Sequence, residues 1–402
     1  MDILARAKEL VPELTAHRRK LHQEPELGMT LPKTTAYVWS QLESMGYAPE
    51  WVGGSIAATA GQTGPVFLLR ADMDALPIQE ETGLDFASQH PGYMHACGHD
   101  CHTAMLLGAA RLLKEREPSL KGRVRLLFQV GEEVLGGAKE AVQAGLLVDP
   151  PVSAAMMIHV ITGIPLPEGS LCIPKAGACY ASADWYRVDV TGKGGHGAMA
   201  MPQTTISSVN TICAINTAIQ EIMAVVVPPS AECCMTVGEL HAGEIGGGNV
   251  IPASAYLAGT LRTFDEEIRA KAKAALEQAV AATAAARGAQ AVVTYSHSAP
   301  AGLQNPTCRV LAMETCTALV GREAVVDMET LWGGTYATTN ASEDFAYISE
   351  QVPSAILWLA AGSPEKGYSW PSHNPKTDFD DSVLYVGAAA YAAVATAWLE
   401  MH

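Results

Sequence analysis

Apolar residues at the start of the chain recur every three or four positions. Ile3, Leu4, Ala7, Leu10, Val11, Leu14 and Leu21 follow that spacing and predict an amphipathic helix, with Pro12 as a local interruption. Four short apolar runs, at 66–69, 124–130, 154–158 and 356–359, read as buried strands. Helical periodicity lies between them, as over 103–115. Strands alternating with helices predict an α/β fold with a mostly parallel sheet covered on both faces. The middle of the chain differs. Residues 185–190 alternate as a half-exposed strand does, a long helix is predicted over 205–225, and strand-like segments follow at 234–237 and 255–261. An Ala-rich helix over 265–287 precedes a last strand at 291–295. Strand, helix, strand, strand, helix, strand is a compact α+β sandwich. The predicted organisation is an outer domain of 1–183 and 297–402 interrupted by this unit at 184–296, with no internal repeat or low-complexity tract.

Composition narrows the class. With 402 residues, 49% hydrophobic and 17% charged, the chain can bury a sizeable core, which sets disorder aside. A net charge of −16 disfavours nucleic acid and anionic membranes as partners. The start carries no apolar stretch behind a basic one. The longest apolar segment, 383–399, falls short of the roughly 20 residues that span a bilayer. The expectation is a soluble, cytoplasmic protein. Nine cysteines, an odd number, argue against a disulfide framework and for a reducing compartment. Cys213, Cys233, Cys234 and Cys316 read as small buried hydrophobes.

The densest polar cluster changes that picture. His95, Cys97, His99, Asp100, Cys101 and His102 fall within eight residues immediately before a predicted helix. One reading is a loop with Asp100 or Thr103 as the helix cap. The other is metal ligation, since imidazole and thiolate suit zinc and similar divalent ions. A helix N-terminus repels a cation, so such a site needs anionic ligands, which a deprotonated Cys97 and nearby carboxylates would supply. Those carboxylates lie where an α/β sheet places functional groups, beyond strand C-termini. Asp72 and Asp74 follow the run at 66–69, Glu132 and Glu133 follow that at 124–130, and His159 follows that at 154–158. Each alone reads as a cap or surface residue, but three successive strands ending in ligand-type side chains favour a metal site. Neighbours in extended chain point to opposite sides, so one of the Glu132–Glu133 pair can hold metal while the other acts as base. His373, between Pro371 and Pro375, is a late ligand or a surface turn. Gly192, Gly194 and Gly197 fit the spacing of a dinucleotide fingerprint, but no acidic residue ends a second strand about 20 positions later. The glycines read better as a mobile turn displaying His196.

At these residues the chain resembles the dinuclear-metal aminoacylase/carboxypeptidase family. The closest branch holds N-acyl-amino-acid amidohydrolases, hippurate hydrolases and hydrolases of indole-acetyl-amino-acid conjugates. The resemblance runs from end to end, through 22–27, 70–77, 95–102, 131–133, 192–197, 249–252, 259–262 and 342–345 to His373. It implies a metal-dependent amidohydrolase of N-acyl amino acids or small peptides. Two divalent ions, manganese or zinc with cobalt or nickel as further options, would be held by Cys97, His99, Glu133, His159 and His373, with Cys97 as a bridge. Glu132 would be the general base, and Asp74 would orient a ligand. The inserted unit would be a lid and dimerisation domain of a homodimer. His196 would reach the scissile carbonyl, in relatives from the neighbouring subunit, while Asn249 and Arg262 would hold the substrate. One stretch departs from the family pattern. The segment after the Gly-His-Gly turn is two residues longer, with Gln203 where His is usual and Ser207 where Asp is usual, and Cys101 replaces a common Gly. Substrate preference over 199–207 is therefore expected to differ. A metallo-dipeptidase or carboxypeptidase is the neighbouring alternative. A non-catalytic metal-binding or sensor protein would be expected to lack the base or a ligand, and Glu132 and all five ligands are present.

Overall fold

The computed structural model describes residues 2–201, 203–335 and 337–402, and divides into two compact units. The first comprises Met1–Cys179, Gly302–Thr339 and Asp344–His402, and the second comprises Tyr180–Ala301 with Asn340–Glu343.

The first unit is built on a mixed sheet in the order Glu50–Val52, Ser55–Ala60, Arg123–Gln129, Val66–Asp72, Val152–Ile161, Ser354–Ala360, Leu171–Ile173, Val325–Asp327. Val66–Asp72 runs parallel to both of its neighbours, and Val152–Ile161 runs parallel to Ser354–Ala360. Every residue of Val66–Asp72 and of Ser354–Ala360 is buried. Central strands covered on both faces carry unbroken apolar runs, and these are the four that the sequence pattern picks out. Antiparallel strands at one edge, Ser55–Ala60 and Glu50–Val52, carry weaker patterns and escape it. Because three adjacent strands run parallel, their C-terminal ends share one edge of the sheet, where the candidate carboxylates lie.

The N-terminal helical pattern breaks at Leu10 into Ile3–Glu9 and Val11–Gln23, with Pro12 in the first turn of the second helix, where its missing N–H costs nothing. The long helix His99–Glu115 is buried along nearly its whole length. The C-terminal stretch Asp381–Met401 is longer than the sequence reading allowed. Among the described residues it is the one helical segment with the length and apolarity to cross a membrane, and it is mostly buried. It shares its core with the His99–Glu115 helix, which is how a core helix behaves.

The second unit is an antiparallel sheet in the order Cys233–Ala242, Ser254–Thr263, Ala183–Thr191, Gln290–Ala299. Two helices, Ser208–Val225 and Glu266–Ala285, cover it. Ile212, Ile215, Ile219, Leu276 and Val280 pack there against Tyr186, Val188, Val190 and Leu257. Ser207 and Asp265 cap these helices with side-chain oxygens that accept backbone N–H groups. All nine cysteines are free. Of the four expected to be buried only Cys316 is; Cys213 and Cys234 are exposed and Cys233 is half-buried. Adjacent strand positions such as Cys233 and Cys234 face opposite sides, so both could not enter the core.

Candidate metal centre

The loop that carries Cys97 turns into the helix at Gly98, with φ +88°. A Cβ at that position would lie 2.4 Å from Val160 Cγ2 and 3.0 Å from Phe379 Cζ, so only glycine fits both the conformation and the space. His99 is consequently the first helical residue, and neither Asp100 nor Thr103 is the cap. Asp100 Oδ2 instead accepts from Arg18 Nε at 3.2 Å and His22 Nδ1 at 2.8 Å, and Thr103 donates to the Asp72 carbonyl at 2.9 Å.

After the strand Arg123–Gln129 the chain turns at Gly131, φ +67°. Glu132 and Glu133 then lie in a turn, not in extended chain, so alternation of faces does not separate them. Their backbone N–H groups donate to the two oxygens of Asp74, at 3.0 and 3.1 Å. Both carboxylates approach His99 Nε2, Glu132 at 3.9 Å and Glu133 at 3.8 Å. His159 lies within a strand that continues to Ile161, opposite Trp358. His373 adopts φ +67°, a left-handed conformation costing a non-glycine residue about 1–3 kcal/mol, and its N–H donates to the Ala96 carbonyl at 2.9 Å.

These side chains converge. Cys97 Sγ is 3.5 Å from His159 Nε2 and 3.3 Å from His373 Nε2, and Glu133 Oε1 is 3.7 Å from His373 Nε2. Three sets of mutually close ligand atoms result: Cys97, His99 and His159; Cys97, Glu133 and His373; His99, Glu132 and Glu133. Cys97 belongs to two of them, so its sulfur is placed to be shared.

Hydrogen bonding sorts the histidines. His159 Nδ1 donates to the Val160 carbonyl at 2.6 Å, and His99 Nδ1 lies 3.4 Å from Asp74 Oδ1, so in each ring Nε2 is the nitrogen that faces the other candidate ligands. His102 spends both nitrogens: Nδ1 donates to Asp72 Oδ1 at 2.6 Å, and Nε2 accepts the Val160 N–H at 2.8 Å. The close set of Asp72, His99 and His102 is therefore a supporting network and not a ligand set. His95 is buried, joins none of the candidate ligand sets, and burial lowers its pKa to about 3.

The supporting shell was largely missed from sequence. Arg70 holds Asp72 at 2.6 Å and Asp344 at 2.9 Å, and Asp344 also accepts from Gln129 and the Ala138 N–H. Burial opposes charge on His22, but hydrogen bonds to Asp100 and Glu80 outweigh it and raise its pKa to about 9. Residues 22–27 and 342–345 carried the family resemblance without an assigned role. The partners of His22 and Asp344 lie 58 to 274 positions away in sequence, which local pattern cannot reveal.

The donor set fits a divalent cation. Among the described residues, both ring nitrogens of buried His99 and Glu133 Oε1 find no hydrogen-bond partner. Burial pushes Glu133 up to about 7 and raises the Cys97 thiol, and His99 is raised by Asp72, Cys97 and Asp74 against its burial. Left to themselves these groups hold protons where a ligand must offer a lone pair. A cation supplies the opposing charge, and mixed sulfur, imidazole and carboxylate ligands suit zinc and similar ions.

Asp74, Glu132 and the candidate ligands all belong to the first unit; His196, Asn249 and Arg262 belong to the second. His196 sits on the short strand Gly195–His196, paired with Val250, and Gly197 N–H donates to the Asn249 carbonyl at 2.9 Å. Among the described residues no helix opens after these glycines until Ser208, which removes the dinucleotide reading. Ala198 N–H donates to His196 Nδ1 at 3.2 Å, so the neutral ring carries its proton on Nε2. Arg262 is half-buried, bonds Ser342 Oγ, and has no carboxylate partner among the described residues. Asp265 and Glu266 are occupied elsewhere, in the helix cap and with Arg269 and the Ala301 N–H.

The family model for Peptidase family M20/M25/M40 matches residues 68–397. The chain belongs to this family. It is 33% identical to thermostable carboxypeptidase 1 of Saccharolobus solfataricus, over 98% of both chains. It is 35% identical to the N-acetyl-L-cysteine deacetylase of Bacillus subtilis over 93% of this chain and 85% of that one. With the IAA-amino acid hydrolase ILR1-like 4 of Arabidopsis thaliana it shares 32% over 98% and 88%. Among solved structures, the Bacillus subtilis YXEP protein, described as a dinuclear metal binding peptidase from the M20 family, superposes with TM-score 0.78 at 30% identity, over 98% of this chain and all of that one. This M20 chain is a metal-dependent amide hydrolase of mixed α/β architecture.

Proposed function

We propose that the substrate is an N-acyl amino acid or small peptide, hydrolysed with Glu132 as general base beside two divalent cations. The observation that carries this reading is the convergence of Cys97, His99, Glu133, His159 and His373, with Glu132 against the same His99 nitrogen. These five residues would hold the cations, manganese or zinc first, with cobalt and nickel also compatible. When bound, the cations supply Lewis acidity toward the amide carbonyl and make water more acidic. Glu132 accepts the proton of the attacking water and returns it to the departing amine. Asp74 holds the Glu132 and Glu133 main chain and faces the rear nitrogen of His99, so one carboxylate positions base and ligands together. His196, with its proton on Nε2, donates to the developing oxyanion, and Asn249 and Arg262 take the substrate carboxylate. The working form is a homodimer, and the free thiols and acidic surface suit the cytoplasm.

The carboxypeptidase-named relative keeps a peptidase reading open. A panel of N-acyl amino acids, their carboxamides and dipeptides, assayed with manganese, zinc, cobalt or nickel, separates the two. Acyl amino acids are expected to be the best substrates. Arg262→Ala should raise KM for them about ten- to a hundredfold, the loss of a charge-assisted bidentate contact, and much less for the carboxamides. Preference for dipeptides would favour the peptidase reading, and equal KM effects on acid and amide would make Arg262 structural.

A further inference from the structure

Arg18, Arg70 and Arg125 are buried, and each meets a carboxylate of this chain. Arg18 bonds Asp100 and Asp378, Arg70 bonds Asp72 and Asp344, and Arg125 pairs with Glu50. In the second unit Arg269 grips Asp184 through two nitrogens. Arg262 departs from this rule. It is half-buried, burial lowers its pKa, and its Nη1 donates to the Ser342 hydroxyl where the other arginines have an acid. Its cross-strand neighbour, Cys234, brings no carboxylate either. A hydroxyl oxygen accepts a hydrogen bond without neutralising the guanidinium, so the charge stays available to an anion from outside. Main chain fixes the two partners to each other. Asn340–Glu343 groups with the second unit, although the chain on both sides of it belongs to the first. Ala181 N–H donates to the Ala341 carbonyl at 3.1 Å, and the next N–H, of Ser182, donates to the Thr263 carbonyl at 2.7 Å. Ala341 precedes Ser342 and Thr263 follows Arg262, so serine and arginine are both pinned beside one dipeptide. Leu261 and Thr263, flanking Arg262 on its strand, are buried and hold it from below.

We infer that Ser342 is a positioning residue for recognition of the substrate carboxylate, orienting the Arg262 guanidinium while leaving its charge unneutralised. The inference rests on the reading that Arg262 takes that carboxylate. An arginine side chain is long and flexible, and its planar fork meets a carboxylate through two parallel bonds only when the two planes are aligned. Tying Nη1 to the hydroxyl restricts the fork before the substrate arrives, so less freedom is lost on binding. Ser342 itself does not touch the substrate and takes no part in the proton transfer at Glu132. Its contribution is therefore to binding, in the ground state and the transition state alike, and falls on KM and not on kcat. This gives a role to the first residue of the 342–345 stretch.

The test measures KM and kcat of the manganese-loaded enzyme for one N-acyl amino acid and for its carboxamide, with melting temperature read on the same preparations. Ser342→Ala should raise KM for the acid about three- to tenfold, with kcat, the carboxamide and the melting temperature unmoved. Ser342→Thr keeps the hydroxyl and should stay near the wild-type KM. Ser342→Asp sets an internal carboxylate on Arg262 and should raise the acid's KM by about tenfold or more, again sparing the carboxamide. The double variant Ser342→Ala/Arg262→Ala is expected to match Arg262→Ala alone, because the serine acts through the arginine. Losses that add in the double variant, an equal loss on acid and carboxamide in Ser342→Ala, no rise in KM, or a loss in Ser342→Thr as large as in Ser342→Ala would each overturn the positioning role. Arg262→Ala would still separate acid from carboxamide in those cases, so the reading beneath would stand. An Arg262→Ala variant that does not separate them removes that reading and the inference with it.

Discussion

Glu132→Gln is expected to lower kcat by about three orders of magnitude while leaving the metal content unchanged. The substitution keeps the size of the side chain and removes only its capacity to take a proton, a contribution worth about 10²–10⁴ in rate. The backbone placement should survive, because Asp74 is bonded to the residue 132 N–H and not to its side chain. Metal should remain because the sets built on Cys97 do not include Glu132. Single-turnover kinetics with metal analysis of the same preparation reads both quantities. If metal is lost along with activity, Glu132 is a ligand. If activity is kept, the base lies elsewhere.

How far the sequence carries this account differs from residue to residue. The strands of the main sheet were legible because their burial on both faces leaves unbroken apolar runs. The ligand types were legible because strand C-termini are where such a sheet exposes functional groups. The local conformation was not. The apolar run before the Glu132–Glu133 pair predicts extended chain there, yet Gly131 at φ +67° turns the backbone and brings both carboxylates to the same imidazole nitrogen. The apolar run predicts His159 just after its strand, yet it lies inside it, since a strand boundary within 156–161 leaves no apolar signature. Position within 95–102 did not distinguish the histidines either. Only the hydrogen bonds of His102 to Asp72 and Val160 set it apart from His99. The Arg18, His22, Glu80 and Asp100 network stayed invisible because its members come from three separate segments.

His196→Ala is expected to lower kcat about a hundredfold or more with metal content unchanged, the effect of removing one preorganised oxyanion donor, roughly 3–4 kcal/mol. His196 and the ligand cluster belong to different compact units, and we propose that the second subunit of a homodimer delivers the imidazole to the reacting carbonyl. Mixing inactive His196→Ala with inactive Glu132→Gln then makes a distinctive prediction. In a heterodimer one site combines the intact base of one chain with the intact histidine of the other, so activity should return, up to about a quarter of wild type from random pairing with one good site per heterodimer. No recovery between subunits shown to exchange would mean that His196 acts within its own chain or not at all.

The central claim is that the Cys97, His99, Glu133, His159 and His373 cluster is a metal centre on which amide hydrolysis depends. Chelated and dialysed protein titrated with manganese, reading bound metal and hydrolysis of an N-acyl amino acid together, tests it most directly. The expected result is no hydrolysis in the stripped protein and recovery that tracks binding of about two equivalents per chain, with binding weakened severely in His99→Ala. Full hydrolysis by stripped protein, or metal binding indifferent to His99→Ala, would contradict the account.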